Sequence, residues 1–290
     1  MLKVGRAGGG TGGVPTQPAP PGPPPTGVQP PVGPFTTLTT EQFFRNGSGL
    51  LTEKLFIDFI ATSGANTAGI GNMRWPYAGA SPGIWTLRDC IVRNVSAIPP
   101  RIRDGTGEAG FWIGEKCFGS RLESYNSAWM EMFTGAAVAG SRFDNVDLHD
   151  NPHVGLYIEH PTNDVIFTNC SFGNPKLGTS SDSSSINVEW WYQDTAYGGL
   201  FPFGGRAGSF NCQFISCEIY CPPTSHPLVK GAFLDAGTYG FRFENCRFWG
   251  PGNALGFPNN LMDPTKPNAA VNCTFDNQGS QITFHDNIIG

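Results

Sequence analysis

Phe243-Glu244-Asn245-Cys246-Arg247-Phe248 is the stretch on which the fold turns. An apolar residue opens it, an Asn-Cys pair sits at its centre and a second apolar residue closes it, with no helical period. Asn tolerates left-handed backbone, so the centre reads as a tight bend between two short strands. The unit recurs as Leu87-Arg88-Asp89-Cys90-Ile91-Val92, Phe143-Asp144-Asn145-Val146-Asp147-Leu148 and Phe167-Thr168-Asn169-Cys170-Ser171-Phe172. Val271-Asn272-Cys273-Thr274-Phe275 matches from its second position on, and Ile215-Ser216-Cys217-Glu218-Ile219 is a shorter variant.

From Val146 onward the Cys/Val positions are spaced by 24, 47, 29 and 27 residues. Periods of roughly 20 to 50 residues mark stacked-repeat architectures. The interval of 47 reads as one turn carrying an insertion, Tyr192 to Gly208. Stacked turns place like residues above one another at about 4.8 Å. Cys90, Val146, Cys170, Cys217, Cys246 and Cys273 are then expected to point inward as a structural core column. Free thiols in such a column act as small hydrophobes. The chain has eight cysteines but no Cys-x-x-Cys pair, which removes zinc-ribbon and thioredoxin-like readings.

These bend motifs resemble those of the pectate-lyase-like superfamily of single-stranded right-handed parallel β-helices, over residues 84 to 275. The resemblance implies an all-β fold and a place among pectate lyases, polygalacturonases and bacteriophage tailspikes. No polygalacturonase-type Asp pair or pectate-lyase calcium cluster is recognisable, so it implies no particular reaction.

Charged residues make up only 14% of the chain, and the net charge is −5, which does not suit a nucleic-acid partner. No apolar run reaches the roughly 18 residues that span a bilayer, and neither membrane insertion nor a secretory leader is expected. No pattern calls for a cofactor or a metal; the His149-Asp150-Asn151-Pro152-His153 loop is a weak metal candidate.

Residues 1–35 are expected to form an extended Pro/Gly-rich anchoring arm. The proline-dense run from Val14 to Phe35 cannot build a core and favours polyproline II. By composition alone it reads as a linker; the expectation adopted is that residues 7–35 lie along other subunits of a larger assembly. Residues 36–50 are expected to cap the open end of the β-helix, with a short helix through Glu41, Gln42, Phe43 and Phe44. Residues 51–290 are expected to form the β-helix itself.

Period-2 alternation in the intervening segments places Ile113, Met130, Ile158, Val188 and Leu234 inward. Glu131, Glu159, Glu189 and Asp235 then face outward beside Trp112, Trp129, Tyr157, Asn187 and Phe233. Aromatic faces stack on sugar rings, and paired carboxylates on neighbouring turns suit glycoside hydrolysis. Glu159, Glu189 and Asp235, with His160 nearby, are the catalytic candidates. Trp112, Trp129, Glu131, Tyr157 and Phe233 are the glycan-binding candidates. The competing reading of the same column is a structural or interface surface.

The arm, the absent leader and the resemblance together imply a bacteriophage virion protein assembled in the host cytoplasm. The expectation is a minor tail component of tail-fibre or tailspike type, a homotrimer that contacts other virion subunits and host cell-surface polysaccharide. A polysaccharide depolymerase, hydrolase or lyase, is the alternative, and a capsid decoration protein the third reading.

Overall fold

The computed structural model describes residues 27–38, 43–44, 51–58, 68–71, 84–95, 109–114, 116–127, 130–134, 138–151, 154–158, 162–173, 184–188, 209–223, 230–234, 238–257, 265–281 and 288–289. Within them the chain is a right-handed parallel β-helix, and every strand pair is parallel. Two sheets run its length, one of fifteen strands and one of eight. Long strands such as Trp85–Arg93, Cys117–Tyr125 and Arg142–His149 belong wholly to the larger sheet. Farther along, the same path divides into two short strands, as in Ile166–Thr168 and Ser171–Phe172. The division falls at the Asn of the repeat. The larger sheet is therefore folded along a line of bends into a leading leg and a trailing leg, and the eight-stranded sheet closes the coil.

The bends form one continuous row. Lys54, Asp89, Arg121, Asn145, Asn169, Ser216, Asn245 and Asn272 all take positive φ between +50° and +57°. Strand register stacks them turn upon turn, for Arg88 pairs with Ser120 and Cys90 with Leu122 on either side of Asp89 and Arg121. The Asn169 and Ser216 bends are adjacent despite the 47 residues between them, since Phe167 pairs with Phe214 and Ser171 with Glu218. Residues that bend the backbone left-handed at low cost are mostly Asn and Asp, and this is why the repeat is written in those letters.

Inside the bends, residues of like type stack. Phe143, Phe167, Phe214 and Phe243 lie face on face, with ring centroids 5.0, 5.1 and 4.8 Å apart. Cys90, Val146, Cys170, Cys217 and Cys246 are buried in the same core and Cys273 packs against it. All eight cysteines are free thiols. In the bend column each thiol donates to the carbonyl two residues before it, as Cys90 does to Arg88 at 3.3 Å and Cys170 to Thr168 at 3.2 Å. Cysteine is thus a small apolar residue that also satisfies a carbonyl turned inward at the bend. Burial pushes the Cys90 thiol up to about 12, away from reactive thiolate.

Three features go beyond the sequence reading. Arg121-Leu122 forms a further bend between Asp89 and Asn145 that lacks the Asn-Cys letters. Within the expected capping helix, Phe43–Phe44 is instead a strand paired with Ala68–Gly71, and Glu41 and Gln42 lie outside the described residues. The edge of the trailing leg is covered by the strand Thr36–Leu38, paired with Leu55–Asp58. Finally, two residues of the arm, Gln29 and Val32, reach this chain's own bends. The Gln29 amide donates to Asn145 Oδ1 at 2.9 Å and the Val32 amide to Asp89 Oδ1 at 3.0 Å. Residues 1–26 lie outside the described residues.

Candidate functional site

On the eight-stranded sheet, register stacks Trp112, Phe133, Tyr157, Asn187, Phe233 and Gly256 in one outward column. The expected aromatic column is therefore present, with Phe133 in the place expected for Trp129. The strand Met130–Thr134 is aligned four residues away from the expectation, because Thr134, not Met130, pairs with Ile113. Met130 consequently belongs to the outward cluster with Ala109, Trp112, Phe133, Val154 and Tyr157. Trp129 itself lies outside the described residues.

That column is not an open sugar platform. Trp112 is 5% exposed, Phe133 1% and Tyr157 8%; only Phe233 is half-buried. Trp112 and Phe133 pack with centroids 4.9 Å apart, and Phe133 and Tyr157 stack at 5.9 Å. These rings form a second small core against the outside of the sheet. The catalytic candidates Glu159, Glu189 and Asp235, with His160, lie outside the described residues.

Glu131 departs furthest from expectation, for it is fully buried. Its carboxylate accepts from Ser124 Oγ at 2.5 Å, the Ser127 amide at 2.8 Å, Ser127 Oγ at 2.7 Å and Asn151 Nδ2 at 3.0 Å. Its neighbours on adjacent turns are glycines. A Cβ on Gly110 would stand 1.8 Å from Ser124 Oγ and 2.7 Å from the Glu131 carbonyl, and one on Gly155 would stand 2.7 Å from the Ser185 carbonyl. Burial raises the Glu131 carboxyl above the usual range, against those four hydrogen bonds. The residue organises the interior at a corner between sheets and is corrected from a glycan ligand to a structural centre.

The chemistry that remains accessible sits on the trailing leg of the larger sheet. Asp58 pairs with Arg93, Arg93 with Tyr125 and Tyr125 with His149, giving a polar row across four turns. Arg93 bonds Asp58 Oδ2 at 2.5 Å and donates to the Tyr125 hydroxyl at 3.2 Å. The Tyr125 and His149 rings stack at 5.0 Å. His149 Nε2 is 3.3 Å from Glu123 Oε1, and its Nδ1 is 3.4 Å from Asp150 Oδ2. Beside this row stand Glu123 and Asp147, directly paired on adjacent turns.

Electrostatics divides these groups. Loss of hydration raises Asp147, partly offset by the His149 charge and a hydrogen bond with Ser171. Burial pulls His149 down, but the Glu123 hydrogen bond and the charges of Asp147 and Asp150 more than reverse it, leaving the imidazole raised. A carboxyl raised by burial, paired with a second carboxyl group and beside a raised imidazole, is the type of grouping that general acid–base chemistry uses. Among the described residues no group of His, Cys, Asp or Glu is arranged to hold a metal ion. Sequence inspection found His149 and Asp150 only as a weak metal loop. The signal that would have found the site is the acidic residue at the first trailing position of the bend motif, Asp147, seen together with its neighbour Glu123 one turn away.

No protein-family model matches the sequence, and neither does any curated protein. Solved structures do match in fold. ORF18 of Geobacillus virus E2 aligns at 13% identity with a TM-score of 0.50, over 86% of this chain and 50% of that one. The A-module of mannuronan C-5 epimerase AlgE6 from Azotobacter vinelandii aligns at 12% identity and 0.42, over 88% and 80%. Full-length tailspike protein 2 of the Escherichia coli O157:H7 bacteriophage CAB120 aligns at 12% and 0.34, over 84% and 34%. The chain thus spans half the length of the Geobacillus virus protein, and likeness at this identity concerns the fold.

Proposed function

We propose that the chain is a structural component of a bacteriophage virion, a minor tail protein of tail-fibre or tailspike type, which binds host-surface glycan on the trailing leg of its larger sheet. The observation that carries the glycan reading is the row Asp58, Arg93, Tyr125 and His149 with Glu123 and Asp147 alongside. It offers a stacked aromatic pair, charged donors and acceptors on a rigid surface, which is what a polyhydroxylated ligand requires. The virion reading draws on the fold shared with the Geobacillus virus protein and on the low-charge, proline-rich composition. A homotrimer and contacts with other virion subunits belong to the same proposal.

A second reading, polysaccharide cleavage, is favoured by the direct pairing of Glu123 with Asp147. Equivalent carboxylates one turn apart fall near the roughly 5 Å separation of retaining glycosidases. In that scheme Asp147 is the acid and Glu123 the second carboxyl group.

The test uses the intact protein and polysaccharide from the host envelope. Binding is expected, weakened at least about tenfold by Tyr125→Ala combined with Glu123→Gln. Absence of binding by the intact protein removes the glycan reading. Release of reducing ends that vanishes in Asp147→Asn establishes cleavage; no release from the intact protein removes it. Immunogold label on purified particles is expected at the tail, and unlabelled particles overturn the virion assignment.

A further inference from the structure

The hydrophobic interior is closed along the coil and unfinished at its two ends. Among the described residues, four hydrophobics packed against it are only partly buried: Leu38 and Leu55 at one end, Cys273 and Phe275 at the other. One turn in from the second pair, Cys246 and Phe248 are buried.

Each end is also a step. At the first, the trailing leg reaches one strand beyond the leading leg. Thr36–Leu38 lies on Leu55–Asp58, whereas Leu51–Glu53 is the outermost strand of the leading leg among the described residues. At the second, the leading leg reaches farther. Ile288–Ile289 lies on Ala269–Val271, whereas Thr274–Asn277 is the outermost described strand of the trailing leg. Within the described coil, one end thus lacks a leading strand and the other a trailing strand. The backbone groups at these edges are set for pairing. The Thr36 amide donates inward to the Lys54 carbonyl and the Thr274 amide to the Cys246 carbonyl, both at 2.8 Å. Amides alternate sides along a strand, so those of Thr37 and Phe275 point off the two ends. Lysine and proline, which commonly block an open edge, are absent from Thr36–Leu38 and Thr274–Asn277.

The two steps are complementary. With two copies set end to end on one axis, Ile288–Ile289 of the first meets Leu51–Glu53 of the second, and Thr274–Asn277 meets Thr36–Leu38. The turn at the junction then takes its leading leg from one copy and its trailing leg from the other. Strand direction agrees, because every pair in the coil is parallel. Register agrees as well. Leu38, Ile57, Val92, Ser124, Leu148, Phe172, Ile219, Phe248 and Phe275 form one stacked column. Continuing that column places Phe275 on Leu38 of the next copy and Thr274 on its Thr37. On the leading leg, Leu51 and Ile288 close the two ends of a single column in the same way.

We propose that the two ends of the coil bind each other, so that a second copy of this chain stacks end on end with the first. The Thr37 amide donates to the Cys273 carbonyl of the neighbouring copy, and that copy's Phe275 amide donates to the Thr37 carbonyl. Phe275 and Leu38 cover one another and continue the interior across the junction. An occupant of either end must offer parallel strands in this register and the opposite step, and the far end of this same chain offers both. The contact is head to tail, so it does not close on itself. It does not depend on the glycan or virion readings, and it is separate from a side-by-side trimer.

The full-length chain is tested by light scattering across a concentration series. The mean mass is expected to keep rising with concentration. Thr37→Pro removes an outward amide that the chain's own strand pairing does not use, and proline is tolerated on an edge strand. It is expected to weaken association at least about tenfold while leaving the melting temperature unchanged. Cross-linking gives a second readout that does not rest on that variant. Thr37 and Thr274 are both exposed, and within one chain they stand eight strand spacings apart, about 38 Å. A disulfide between these positions must therefore join two copies. Thr37→Cys combined with Thr274→Cys, oxidised with diamide, is expected to give a ladder of covalent multimers on a non-reducing gel. A mixture of the two single variants, one carrying a mass tag, is expected to stop at the mixed dimer. A mass independent of concentration, or one that levels off at three copies, overturns the proposal. So does growth unaffected by Thr37→Pro, or a mixture of single variants that yields no mixed dimer.

Discussion

On the outward side of the eight-stranded sheet, Trp112, Phe133 and Tyr157 pack into a covered apolar cluster. On the outward side of the larger sheet's trailing leg, Arg93, Tyr125, His149 and Glu123 stay partly open to solvent. Both faces are stacked columns on strands of one coil, and both contain rings. What separates them is the company of those rings. Trp112 has apolar neighbours from three turns, so covering the column removes apolar area from water, at the cost of one buried indole N–H, Trp112 Nε1, that makes no hydrogen bond. Tyr125 lies between an arginine and a histidine that are themselves held by carboxylates, and covering that face would strand charges. The first face contributes stability and the second remains available to a ligand.

The sharpest way to break this comparison is at the corner between the sheets. Glu131→Ala removes a buried acceptor of four hydrogen bonds and leaves Ser124, Ser127 and Asn151 without that acceptor. It is expected to cost about 4 kcal/mol of unfolding free energy by denaturant titration. A cost below about 1 kcal/mol would show that the residue faces solvent after all. Trp112→Ala is expected to cost about 3 kcal/mol, as for a core aromatic, while leaving glycan binding intact. If stability is unchanged and binding falls, the roles of the two faces are exchanged. Asp89→Asn stands next, at about 1 kcal/mol. Its carboxyl is lowered chiefly by the Arg121 hydrogen bonds, with the Val32 amide assisting against burial. A lowered carboxyl stabilises above the unfolded value near 4 and loses that contribution as pH falls through its folded value. The gap between wild type and variant is therefore expected at pH 7 and lost as pH falls through the lowered folded value. A gap independent of pH would refute the ionic account.

The bends were legible because a left-handed residue is a backbone requirement with few solutions, and Asn-Cys meets it on the same line that the core reads. Arg121-Leu122 was not legible, since there the bend is taken by an arginine held on Asp89, a contact made across turns. The register of Met130–Thr134 failed for a related reason. Period-2 alternation assumes an uninterrupted strand, and Glu131 turns inward at the corner beside Gly110 and Gly155, where no bridge forms to either neighbour. A buried glutamate carries the letter of a surface residue. The polar row was hidden because its members, Asp58, Arg93, Tyr125 and His149, are 35, 32 and 24 residues apart, and only the folded register adds them into one site.

The smallest effect expected is also the one that bears most on function. Asp147 is raised chiefly by loss of hydration, so its charged form is disfavoured in the folded state. The sign follows from linkage: the folded chain holds that proton more tightly than the unfolded chain, and stability declines as pH rises from the ordinary carboxylate value near 4 to the raised folded value. Asp147→Asn removes the titration and is expected to be slightly more stable than wild type at neutral pH, by less than about 1 kcal/mol given the solvent access of the face. The advantage should shrink as pH falls below the folded value. Residues kept at a cost to stability are commonly kept for what they do. A variant that is more stable and yet poorer with polysaccharide marks the trailing leg as the working face, whereas a loss of stability at neutral pH would return Asp147 to the structural role that Glu131 occupies.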